Sequence, residues 1–143
     1  MLTLHGVPVY VSGVAGHFTC SDRCVLRMHW RIGDYRVSTV GGYVQDRDDT
    51  KFAAVGSTSE GPAYSETMVF ALRDDGTEEG EPVSWGSELY CVRCTSSDTR
   101  KAEQQHYVIA GAVARAFGSG RYDPRPEDIV DAIAQERRPG AHG

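Results

Sequence analysis

The sequence predicts an α+β fold: a mostly antiparallel β-sheet followed by two C-terminal helices packed on one face of it. Three observations lead there. Leu26, Met28, Trp30 and Ile32 alternate with Arg27, His29 and Arg31, the period of a half-buried strand. Gly33-Asp34 follows at once and matches a two-residue hairpin turn with glycine first. Beyond Cys94 the period changes: Ala102, His106, Ile109, Val113 and Phe117 recur at spacings of four, three, four and four, one face of an amphipathic helix. Strands first and helices last, without alternation, favour an antiparallel sheet over a parallel one.

Taken in order, Val7, Val9 and Val11 form a short strand face. Pro8 lacks an N–H and so points to an edge strand or to the first residues of a strand. Gly13 to Asp22 is loop-like. The strand centred on Trp30 and the next, Tyr35 to Val40, form a hairpin with Ile32 and Tyr35 flanking the turn. Its core face is Leu26, Met28, Trp30, Ile32, Tyr35, Val37 and Thr39. Arg27, His29, Arg31, Arg36 and Ser38 take the opposite face, expected to be wet. Asp46 to Lys51 and Glu78 to Pro82 are charged loops, and Gly56 to Ser65 is a polar loop. Thr67 to Leu72 and Leu89 to Arg93 are strands. Thr95 with Asp98 approximates a capping box for the first helix, and Gly118 and Gly120 end it. Asp123-Pro124 or Pro126 opens the second, which carries Ile129 and Ile133 inward and runs to about residue 136. Residues 1–136 thus form a single domain, and residues 137–143 a solvated, flexible tail.

Composition narrows the functional classes. The 143 residues carry a formal net charge of -5, which argues against coating nucleic acid through bulk positive charge. No apolar run approaches a membrane span, and no basic, apolar leader opens the chain, so a cytoplasmic protein is expected. In that compartment the four cysteines are expected as thiols or metal ligands.

Three constellations could carry chemistry. Cys20, Cys24, Cys91 and Cys94 form two close pairs and are the alternative zinc ligand set, with His17 and His29 nearby; they would make a zinc-stabilised domain contacting nucleic acid through the arginine face. Against zinc, Cys91 and Cys94 lie along a strand, where residues three apart point to opposite faces. No cofactor is therefore expected. His106 on its apolar helix face is expected to be structural, although a cysteine with His106, or Glu66 with His106, would make a small enzyme's centre. No phosphate-loop signature occurs. The third constellation is the set Arg27, His29, Arg31 and Arg36. Arginine forks suit carboxylate or phosphate, which makes these the candidate ligand-binding residues. The competing reading is a solvated face balanced by acidic loops at 46–49 and 74–81.

Ser38-Thr39-Val40-Gly41-Gly42-Tyr43, then Glu66-Thr67-Met68-Val69-Phe70, then Ala102-Glu103 with His106, resemble a set of small uncharacterised proteins encoded by bacteriophages and mobile elements of actinobacteria. The resemblance spans roughly residues 33–113, and this chain departs from the pattern at Cys94, where an aromatic residue often stands. It implies a phage-type origin and supplies no catalytic residues; taken with the arginine face and the expected cytoplasmic location, the expectation is a non-enzymatic accessory protein that binds a host protein or small anionic ligand in the host cell.

Overall fold

The computed structural model describes residues 2–12, 24–43, 53–72, 87–118 and 123–137. Its main sheet is built from β1 (Leu2–Leu4), β2 (Val7–Ser12), β3 (Cys24–Ile32), β4 (Tyr35–Tyr43), β7 (Ser65–Ala71) and β8 (Ser87–Cys94), in that spatial order. Every pairing is antiparallel. A two-stranded hairpin, β5 (Gly56–Thr58) and β6 (Gly61–Ala63), is inserted between β4 and β7. Two helices follow, α1 (Thr99–Ala116) and α2 (Pro126–Glu136). The predicted fold class is the observed one.

The hairpin at Gly33-Asp34 has the expected register, with Ile32 opposite Tyr35 and Trp30 opposite Val37. Gly33 sits at φ 57°, and a Cβ there would stand 2.5 Å from the Phe117 Cζ atom. The turn thus needs glycine twice over: for its left-handed backbone and for the phenyl ring that closes α1 against it. Pro8 is the second residue of β2 and pairs with Thr3 of β1, so the outermost strand is β1. That strand is too short to show a period, which is why the sequence pattern does not reveal it. The polar stretch from Gly56 likewise contains the unforeseen β5–β6 pair.

α1 packs along β4, with β3 and β7 on either side. It begins one turn later than the Thr95 box would have it: Asp98 is the N-cap, and its Oδ1 accepts the Arg100 N–H at 3.0 Å. α2 starts at Pro126, the second of the two expected openings, and Asp128 accepts the Arg125 N–H at 3.0 Å. Ile109, Val113, Ile129 and Ile133 are fully enclosed with Val9, Ile32, Val37 and Val69 in one core between helices and sheet. Arg115 and Glu136 pair across the two helices at the rim of that core.

Tyr35 ties the layers together. Its hydroxyl donates to the Pro124 carbonyl at 2.5 Å, just ahead of α2. Burial, and then the Asp34 carboxylate, hold the phenol above its ordinary pKa, so it stays a donor. Tyr35→Phe should therefore cost about 1 kcal/mol, with a buried carbonyl left unpaired. Urea unfolding of the two proteins measures it.

A smaller core lies at the other end of the hairpin, where Cys24, Val40, Tyr43 and Val55 cluster. Val40 and Tyr43 are three apart and would face opposite ways in a regular strand. Gly42, at φ 67°, turns the backbone between them and lets both join.

Candidate functional site

The register fixes three rows of side chains across the sheet face turned away from the helices. Arg27 stands opposite Val40, Val40 opposite Glu66, and Glu66 opposite Arg93. His29, Ser38, Met68 and Cys91 make the next row. Arg31, Arg36, Phe70 and Glu88 make the third. Arg27, His29, Arg31 and Arg36 therefore share a face, as their alternation predicts.

The expectation that this face is wet needs correction. His29 is fully buried, Arg36 is 6% exposed and Ser38 is 8% exposed. Arg27 and Arg31 are half-buried. Polarity marked the face but did not report its exposure, because cross-strand neighbours satisfy one another. Ser38 Oγ lies 2.8 Å from His29 Nδ1 across the strand pair, so both can leave water. Arg31 turns its Nε–H back to the Gly33 carbonyl at 3.0 Å. Glu66, 5% exposed, accepts from Arg93 Nε at 2.8 Å. Hydrogen bonding and the charge of Glu66 together hold the Arg93 guanidinium above its ordinary pKa, so the pair stays ionised. Arg93 and Glu66 are charged members of this face that the arginine set missed. Alternation along β8 could have placed Arg93 on one side of its strand, but only the β4–β7–β8 register puts it beside Glu66. The acidic loops at 46–49 and 74–81, the other expected partners of the arginines, lie outside the described residues.

On the helix face, His106 is fully enclosed, as its position among Ala102, Ile109 and Val113 predicts. Its Nδ1 is 2.7 Å from Thr39 Oγ1, which is 2.8 Å from Thr67 Oγ1. Trp30 meets the imidazole edge-on at 4.4 Å between ring centres. Nε2 is buried without a hydrogen-bond partner. Burial first, and the neighbouring charge of His29 second, push the imidazole down to a pKa of about 3. A ring so enclosed cannot reach a substrate. The Glu66–His106 pair is not assembled either, since the sheet lies between them: Glu66 shares the arginine face while His106 meets Thr39 on the other.

Among the described residues, the cysteines of the alternative zinc set do not converge. Cys24 is disulfide-bonded, contrary to the expectation of thiols or metal ligands. Its sulfur is thereby spent as a thiolate ligand. Cys20 lies outside the described residues. Cys91 and Cys94 are free, and their partners Met68 and Ser65 place them on opposite faces, the geometry expected of residues three apart. Among the described residues no three His, Cys, Asp or Glu side chains come together as a metal site. Burial, then the Glu66 carboxylate, push the Cys91 thiol up to about 11, which leaves it a poor nucleophile. Cys91 and His106, on opposite sheet faces, form no nucleophile–base pair.

A cleft of about 430 Å³ opens between the helices, with Ala112, Ala116 and Ala132 among its lining and Asp128, Asp131 and Arg115 beside them. None of the arginine set lines it. No helix among the described residues is long and apolar enough to cross a membrane. The chain matches no family model, no curated protein and no solved structure.

Proposed function

We propose that the protein is a non-enzymatic binding protein of phage type whose arginine face receives an anionic group of a host protein or a small ligand. The observation that carries this reading is the β3–β4 register, which sets the half-buried Arg27 and Arg31 on one face, with the buried Arg36 directly across from Arg31. Guanidinium groups held on a sheet are pre-organised, so less side-chain freedom is lost when a carboxylate or phosphate arrives. Two further observations support binding over catalysis. The enclosed His106 offers no general base, and the elevated Cys91 thiol offers no nucleophile.

A location in the host cytoplasm belongs to the same reading. The Cys24 disulfide weighs against it, because reducing compartments keep cysteines as thiols.

Replacing Arg27 and Arg31 together with glutamine tests the reading. At these half-buried positions glutamine keeps a polar, shorter side chain while two charges go. The double variant should fold, yet lose its partner in an affinity pull-down from host lysate and lose salt-sensitive binding. Undiminished capture by the folded double variant would move the binding surface elsewhere.

A further inference from the structure

We infer that β8 is a pairing edge whose occupant is β8 of a second copy of this chain, laid antiparallel about a two-fold axis at Cys91. β8 closes the sheet order, and among the described residues no strand lies beyond it. The Tyr64 N–H donates to the Cys94 carbonyl at 2.9 Å, so Cys94 turns its backbone groups toward β7. Backbone groups alternate sides along an antiparallel strand. Arg93 and Cys91 therefore present their N–H and C=O outward.

Natural edges are usually blunted by shortness, proline, lysine or a bulge. β1, the opposite edge, spans only Leu2–Leu4. β8 spans Ser87–Cys94 and contains neither proline nor lysine. The one such device it carries is the register shift at Leu89, across from Val69 and Phe70, which leaves Tyr90 to Cys94 in regular pairing.

Charge selects the occupant. A two-fold axis perpendicular to the sheet keeps the helices of both copies on one side. Centred on Cys91, it pairs Cys91 with Cys91 of the second copy and Arg93 with Leu89. Each Arg93, its Nε still on Glu66 of its own copy, then lies one residue along from Glu88 of the other copy, and symmetry makes this charge approach twice. Tyr90 and Val92, half-buried in one copy, come opposite each other across the seam.

Sedimentation equilibrium of the full chain, from low micromolar to submillimolar concentration, tests the inference. A reversible dimer is expected. Glu88→Lys, at an exposed position, should leave the circular dichroism spectrum unchanged and weaken the dimer by about tenfold, because two attractive contacts become repulsive. In a Cys94→Ser background, copper–phenanthroline should join the two Cys91 thiols, the oxidant taking two electrons and two protons being released, and peptide mapping locates the bond. A chain that stays monomeric throughout overturns the inference. So does a dimer that ignores Glu88→Lys and yields no Cys91–Cys91 link.

Discussion

Acidification should destabilise the protein steeply, beginning near pH 6.5 and continuing to about pH 3. The window comes from His106. Its ordinary value is 6.5 and burial lowers it to about 3 in the folded chain. A depressed folded pKa means that the unfolded state binds the proton first. The stabilisation is therefore fully present above pH 6.5 and is lost as pH falls toward 3. One proton linked over that range costs about 1.4 kcal/mol per pH unit, so the total is on the order of 3 to 5 kcal/mol. That is a large share of a small domain's roughly 5 to 15 kcal/mol. Urea midpoints across this range, for the native chain and for His106→Asn, measure it. Asparagine keeps a polar group facing Thr39 but cannot titrate here, so the variant should be less stable at pH 7 and show a flatter acid limb. Parallel profiles would place the acid sensitivity in other groups.

Trp30→Ala should be the most damaging single truncation. The indole is 4% exposed and meets His106 at 4.4 Å and Tyr107 at 5.0 Å between ring centres. Its loss removes apolar burial and leaves a cavity where β3 faces α1, at a cost of about 3 to 5 kcal/mol. A fall in melting temperature of roughly 10 °C or more is expected by calorimetry. Trp30→Phe, which keeps a ring in place, should lose less than half as much. The two predictions are coupled. An opened cavity admits water to the imidazole, so the Trp30→Ala chain should hold His106 nearer its ordinary value and show a shallower acid response. A drop of less than about 1 kcal/mol would mean that the surrounding residues collapse into the space.

The parts of the fold that were legible in the sequence are those set by local physics. Alternation from Leu26 to Ile32, the Gly33-Asp34 turn and the helical spacing from Ala102 to Phe117 each involve neighbours along the chain. They located β3, β4 and α1, and they placed Arg27, His29, Arg31 and Arg36 on one face. What stayed hidden depends on distant partners. β4 pairs with β7 across the inserted β5–β6 hairpin, and no local pattern announces that Thr39 will meet Thr67 or that Glu66 will meet Arg93. Burial of the arginine face was misjudged for the same reason. A histidine reads as polar until a serine across the ladder satisfies it, as Ser38 does for His29. The Cys24 bond escaped because spacing alone does not decide between thiol, metal ligand and disulfide.

The order of elements has a consequence for synthesis on the ribosome. β1 to β4 add one hairpin after another, and β7 and β8 extend the same edge, so the sheet can assemble as the chain emerges. The helices that cover it are made last. The stretch from the end of β8 to the end of α2 takes about 2 to 8 seconds at ordinary elongation rates. For those seconds the nascent chain carries Trp30, Val37 and Val69 on an uncovered surface. Ribosome-associated chaperones that hold exposed apolar segments would meet the chain in that interval, and a pause within the α1 coding region would lengthen their access.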